Sequence, residues 1–351
     1  MAAVRRFTAV EVCAGAGGQA LGIERAGFEH LAMVEIDRDA CATLRENFRD
    51  SATVVEEDVR LFLAGVRRGS PLVSRVDLLA AGVPCPPFSV AGRQLGEDDA
   101  RDLFPVLLDL VELLSPRAVM VENVRGLLGS KFDEYRHFIR SRLTQLGYSV
   151  VGWSQLNACD FGVPQLRPRS VLVAVRAGFE PYYAAPKGAV LAPTVGQALA
   201  GSMSLRGLSA ADCAEWSSRA DRVAPTLVGG SKKHGGADLG PTRAKAQWHQ
   251  LGVDGHGVAD DEEPATLTGP KGRGPRLTVA QAAILQGFPA HWQFKGRKTA
   301  RYRQVGNAFP PPVAYAVASA ISDTLRAFDS EIAPRIARKD GEQSTRAETR
   351  L

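Results

Sequence analysis

The 351-residue chain reads as an α/β protein built on a doubly wound, mainly parallel sheet with a smaller loop-rich domain. Three observations carry that reading. Short apolar runs alternate with helical patterns through the first half, as in successive βα units. The runs end in glycine, cysteine or acidic residues, where ligands bind in such sheets. Beyond residue 182 the alternation stops and Gly- and Pro-rich segments take over. In order, FTAVEV (7–12) predicts a buried strand and GQALGIERAG (18–27) a helix. HLAMVE (30–35) and RDACATLRENF (38–48) repeat the pair, and TVVEEDV (53–59) holds a short third strand. VDLLAAG (76–82) is the fourth strand, LFPVLLDLVELL (103–114) an apolar helix and RAVMVE (117–122) the fifth strand. FDEYRHFIRSRLTQLGY (132–148) places Phe132, Tyr135, Phe138 or Ile139, Leu143 and Leu146 at helical spacing, and strands follow near 149–156 and 170–175.

The strand ends gather the residues able to do chemistry. CAGAGG (13–18) is a glycine-rich turn opening a helix, which lets backbone approach a ligand. Glu35 follows about 20 residues after the glycine turn, the spacing at which an acidic side chain holds a ribose diol. Asp58 ends the third strand, Cys85 lies in the GVPCPPFSVAGRQ loop after the fourth, and Glu122-Asn123-Val124 closes the fifth.

The segments 181–193, 224–245 and 254–275 predict a loop-rich insertion with short strands, given some order by Trp216 and Trp248. Residues 271–303 contain Lys271, Arg273, Arg276, Lys295, Arg297, Lys298, Arg301 and Arg303 with no acidic residue between them. A one-signed surface of this kind suits a phosphate backbone. RQVGNAFPPPVAYAVASAISDTLRAF (303–328) predicts a turn and an apolar helix packing back on the large sheet, and the polar stretch 329–351 predicts a disordered tail. The expected division is a large α/β domain over 1–182, a smaller domain and hinge over 183–302, and the returning helix over 303–328.

Composition narrows the class. The chain is 45% hydrophobic and 23% charged with a formal net charge of +5, ordinary for a globular protein and permissive of an anionic partner. No apolar run reaches the roughly 18 residues of a membrane span, and no secretory signal pattern opens the chain, so a cytoplasmic location is expected. The 5 cysteines are widely spaced without a CxxC pair, which argues against a disulfide framework or a zinc site and predicts no metal.

FTAVEVCAGAGG, PCPPFS (84–89), ENV (122–124), QLRPR (165–169), PRLTVAQAAILQGFP (275–289) and RQVGNAFPPPVA (303–314) occur in one order along the chain. In that order and spacing the sequence resembles the DNA (cytosine-5) methyltransferases of bacterial restriction-modification systems. The resemblance implies transfer of a methyl group from S-adenosyl-L-methionine to carbon 5 of a flipped-out cytosine in a specific duplex sequence. Cys85 would be the nucleophile that adds to carbon 6, and Glu122 the acid that engages the base. Arg167 would contact the base O2, with Arg169 and Gln165 supporting.

On the same resemblance Cys13, Ala14, Gly15, Ala16, Gly17 and Gly18 would face the methionine end of the cofactor. Glu35 would take the ribose, Ile36 and Asp58 the adenine, with Pro84 and Asn307 completing the site. DNA contacts fall to Ser89, Arg93, Gln165, Thr226, Ser231, Lys232, Lys233, His234, Arg243, Lys245, Lys298 and Arg301. Two departures stand out: Cys13, where many members carry Phe, and Pro86, where Gln is common. The implied partners are double-stranded DNA and a cognate restriction endonuclease, with the chain itself a monomer. A tRNA methyltransferase and a non-catalytic DNA-binding regulator are the competing readings.

Overall fold

The computed structural model describes residues 6–70, 75–84, 102–188, 190–230 and 236–348. Seven strands form one sheet: β1 (Phe7–Val12), β2 (Phe28–Glu35), β3 (Thr53–Glu56), β4 (Leu78–Ala81), β5 (Ala118–Val124), β6 (Tyr148–Asn157) and β7 (Pro168–Arg176). Their order is β3-β2-β1-β4-β5-β7-β6, with β7 antiparallel to both its neighbours and the other pairings parallel. The chain therefore runs outward from β1 to β3, then crosses to β4 on the other side. The gap beyond the carboxyl ends of β1 and β4 is the topological switch point.

Alternation along the strands sorts side chains to two faces. Phe7, Ala9, Leu78, Ala80, Ala118, Met120, Val171, Val173 and Val175 pack on one side with α1 (Gly18–Arg25) and the last helix, α11 (Pro311–Glu348). Val10, Val12, Leu79, Ala81, Val119, Val121, Leu172 and Ala174 pack on the other. There they meet α3 (Val59–Arg67), α4 (Phe104–Leu114) and α5 (Asp133–Gln145). α2 (Arg38–Phe48) follows β2 and is capped by Asp37, whose carboxylate accepts from the amides of Asp39 and Ala40. Gly22 allows α11 to approach α1 closely, since a Cβ there would overlap Ala314.

Two expectations need correction. The region after residue 182 is helical rather than a set of short strands: α6 (Val195–Leu205), α7 (Ala210–Arg219), α8 (Thr242–Gln250) and α9 (Val279–Leu285) carry it. The described β pairing here is two isolated bridges, Phe161 with Val190 and Gln165 with Ala224. Local signals account for the helices: Thr194 with Gln197 and Thr278 with Gln281 form capping boxes, and Ser209 caps α7. Trp216 and Trp248 are buried at the centre of this layer, whose core continues into Leu21, Leu44 and Phe48 of α1 and α2. Likewise, α11 runs on to Glu348 instead of ending in a disordered tail at 329. The stretch beyond 328 continues a helix already nucleated over 311–328, and does so across Pro334 and Gly341, both unfavourable in a helix interior.

Candidate active site

Two adjoining cavities lie over the carboxyl edge of the sheet. The smaller, about 230 Å³, is lined by Cys13, Val34, Glu35, Ile36, Asp58, Pro84 and their neighbours. The larger, about 520 Å³, shares Cys13, Glu35 and Pro84 with it and extends over the glycine turn to Glu122, Arg169 and Asn307. Of the cofactor residues read from the sequence, Cys13, Ala14, Gly15, Ala16, Gly18, Glu35, Ile36, Asp58, Pro84 and Asn307 line one or both cavities.

Glu35 ties this edge together. Its carboxylate accepts from the backbone amides of Gly15 (2.8 Å), Ile36 (2.8 Å) and Asp37 (2.7 Å), pinning the glycine turn to the end of β2. A carboxylate offers about four acceptor positions, so roughly one stays available for a hydroxyl. The glycines of the turn serve different needs. Gly15, at φ +56°, has open space where a Cβ would stand, so it leaves the cavity wall bare. Gly17, at φ +83°, is packed under Leu44, Phe48 and Trp292 and does not line either cavity. Ile36 is exposed beside the smaller cavity and offers it an apolar surface.

Asp58 stands just beyond β3 and caps α3, accepting from the Arg60 amide at 2.8 Å and pairing with its guanidinium. Cys13 adopts φ 55°, and burial pushes its thiol up to about 12, helped by the carboxylates of Glu35 and Asp58. It stays a neutral thiol at physiological pH and is no nucleophile.

The catalytic side of the larger cavity is built by the β5–β7 register. Glu122 faces Val171 and Val124 faces Arg169 across the ladder, so Glu122 and Arg169 are diagonal neighbours on one face. Arg169 Nε donates to Glu122 Oε1 at 2.8 Å. Burial raises the Glu122 carboxyl above its ordinary range, partly opposed by the charges of Arg169 and Arg167. Asn123 donates to the Val83 carbonyl at 3.1 Å, two residues ahead of Cys85, and thereby fixes the exit of β4. Cys85 itself, with Ser89, Arg93, Ser231, Lys232, Lys233 and His234, lies outside the described residues.

Several sequence expectations are displaced. Arg167 is only 1% exposed and lines neither cavity. Its guanidinium donates to the carbonyls of Leu227 (2.8 Å), Gly306 (2.7 Å) and Ala308 (2.9 Å), riveting the 224–230 segment to the end of α10 (Lys298–Asn307). Its Nη groups are engaged on these buried carbonyls and its Nε is buried without a partner among the described residues, so the cavity-lining cation of the QLRPR motif is Arg169. Gln165 is fully buried in the same joint, bonded to Leu285, Gln286 and Leu227, and is out of reach of a duplex. The joint is tight because Gly229 crosses Gly306: a Cβ on Gly229 would stand 2.5 Å from the Arg303 carbonyl.

The basic run is also not one-signed in space. Lys295 pairs with Glu46, Lys298 with Asp260 and Arg301 with Asp261, while Lys245 pairs with Asp238. Thr226 donates its hydroxyl to the Leu166 carbonyl. Arg243 is exposed on α8. Several residues that line the larger cavity escaped the sequence reading of the site, among them Glu11, Gln19, Asp37, Arg303 and Gln304. Burial raises the Glu11 carboxyl, which meets His30 at 3.3 Å. A carboxylate inside an otherwise apolar strand, FTAVEV, was the available signal for it.

Comparison with known proteins places the chain in one enzyme class. The model of the C-5 cytosine-specific DNA methylases fits residues 7–198 and 217–323. The chain belongs to that family and is a DNA (cytosine-5) methyltransferase. Among its relatives, the Type II methyltransferase M.NaeI of Lentzea aerocolonigenes is 52% identical over 336 residues, 93% of this chain and 79% of the relative. The Type II methyltransferase M.NgoMIV of Neisseria gonorrhoeae is 46% identical over 324 residues, 92% of this chain and 99% of the relative. Among solved structures, the Entamoeba histolytica methyltransferase EhMeth superposes with a TM-score of 0.61 at 14% identity, covering 92% of this chain and 99% of that one. That likeness concerns the fold. No helix among the described residues is long and apolar enough to cross a membrane.

Proposed function

We propose that the protein is the modification enzyme of a restriction-modification pair, binding S-adenosyl-L-methionine and methylating one cytosine of a specific duplex sequence from the cytoplasm as a monomer. The observation that carries this is the buried Glu122–Arg169 pair on the wall of a cavity that begins at the glycine turn. The relatedness to Type II methyltransferases supports the biological setting, with a cognate endonuclease as the expected partner.

The residues present fit the cofactor. Ile36 and Asp58 would hold its base, Glu35 its ribose and the bare backbone of Ala14 to Gly18 its methionine portion, with Asn307 nearby. When bound, S-adenosyl-L-methionine supplies an electrophilic methyl group on a sulfonium. Carbon 5 of cytosine is a poor nucleophile, so the protein's task is to make it electron-rich. The Cys85 thiolate adds to carbon 6 of a base taken out of the stack, while Glu122 holds a proton at N3 as the ring gains electron density. A raised pKa suits Glu122 to that role, since the acid form is the one that donates. Arg169 keeps the carboxyl oriented, and Asn123 sets the path of the chain into the Cys85 loop. Once carbon 5 is methylated, loss of its proton and departure of the Cys85 sulfur restore the aromatic ring.

Fluorine at carbon 5 cannot leave as a proton does, which gives the test. A long duplex synthesised with 5-fluorocytosine should form a denaturant-resistant complex with the wild type in the presence of S-adenosyl-L-methionine, and none with Cys85→Ala. An adduct that persists in Cys85→Ala removes Cys85 from its role.

A further inference from the structure

Gln19, the second residue of α1, is 4% exposed and lines the larger cavity, yet neither its Nε2 nor its Oε1 has a hydrogen-bond partner. The other buried amides show how unusual this is. Asn123, Gln165, Gln281, Gln286 and Gln304 each engage one or more described partners through their side chains. Native folds rarely leave a buried amide wholly unpaired, and one on a residue that lines a cavity is suited to bind a ligand there.

The position suggests what that partner is. Gln19 follows directly on the glycine turn and lines the larger cavity together with Glu11, Gly15, Gly18 and Asn307, while it is not among the residues lining the smaller cavity that Ile36 and Asp58 border. An amide presents a donor and an acceptor together, which matches a carboxylate and an ammonium carried on one carbon. We propose that Gln19 binds the α-amino-acid end of the methyl donor, its Nε2 donating to the carboxylate and its Oε1 accepting from the ammonium. This rests on the reading of the donor as S-adenosyl-L-methionine, and it makes Gln19 a binding residue that anchors the methyl-bearing part of the molecule toward Glu122 and Arg169.

The test uses two ligands that differ in that end alone. S-Adenosylhomocysteine carries the amino-acid group, and 5′-methylthioadenosine has the same nucleoside and thioether without it. By calorimetric titration, Gln19→Leu should bind S-adenosylhomocysteine about tenfold more weakly than wild type, while 5′-methylthioadenosine changes by less than about twofold. The unligated variant should melt no lower than wild type, because an apolar side chain of similar size replaces an unpaired amide. Gln19→Met repeats the measurement with an unbranched stem. Unchanged affinity for S-adenosylhomocysteine overturns the proposal, and so does an equal loss for both ligands with a lowered melting temperature, which is the pattern of a structural residue. A wild type that binds neither compound instead sinks the donor reading on which the proposal stands.

Discussion

Arg167→Met separates a joint-holding arginine from a base-binding one. Methionine keeps the aliphatic stem and removes the three guanidinium bonds to Leu227, Gly306 and Ala308, at 2.7–2.9 Å. The Leu227 and Gly306 carbonyls lose this donor at about 1–3 kcal/mol each, while the Ala308 carbonyl keeps Gln286 Nε2. Taking a buried cation out of the protein returns part of that sum, because its desolvation is no longer required. A net loss of about 3 kcal/mol is expected from the carbonyls left unpaired, at about 1–3 kcal/mol each, less the returned desolvation. With a urea slope of about 3 kcal/mol/M, the unfolding midpoint should fall by about 1 M. Intrinsic fluorescence reports the transition directly, because Trp216, Trp248 and Trp292 all sit in the layer that the joint secures. A midpoint within about 0.3 M of wild type, together with lost adduct formation, would refute the reasoning and return Arg167 to the base.

Glu122→Gln should lower the single-turnover rate by about 10²–10³, within the usual range for a general acid. In the wild type burial raises the Glu122 pKa above 4.5, so the protonated fraction, and with it the rate, should decline as pH rises through that raised value; the variant should lack this limb. Gly229→Ala places a methyl group 2.5 Å from the Arg303 carbonyl and should lower the melting temperature markedly, whereas Gly15→Ala, with open space around its Cβ position, should spare folding more and weaken cofactor binding. Iodoacetamide at pH 8 should leave Cys13 and Cys41 unmodified in the folded protein, because burial pushes both thiols up to about 12; mass spectrometry of the digest reads this. Arg243→Ala should reduce the salt dependence of DNA binding by about one unit of slope, and Arg301→Ala by less, since Arg301 already faces Asp261.

How much of this the residues disclosed depended on the range of the interaction. β1, β2, β4 and β5 were legible because burial on both faces writes continuous apolar runs, and the strand-end residues follow from where those runs stop. Glu35 could be placed at the ligand edge by spacing alone. What it does there, accepting three backbone amides, depends on how the turn folds back. The roles within QLRPR were not legible, because Pro168 begins β7 and the residues before it turn away into the 224–230 segment. Alternation therefore holds from Arg169 onward and fails for Arg167 and Gln165. Diagonal pairing of Glu122 with Arg169 needs an antiparallel register across 47 residues, which no local pattern encodes. The 254–275 segment, read as part of a loop-rich insertion, brings Asp260 and Asp261 to Lys298 and Arg301 and neutralises them, which a linear charge count cannot reveal.

The account stands or falls on methylation of carbon 5 in duplex DNA. The most direct measurement is bisulfite sequencing of the genome of a methylation-free bacterial host expressing the protein, beside one expressing Cys85→Ala. The account expects one recurring sequence in which a single cytosine becomes protected from conversion in the wild type and stays convertible in the variant. No protected cytosine in the DNA, with protection appearing in the host's tRNA instead, would contradict it.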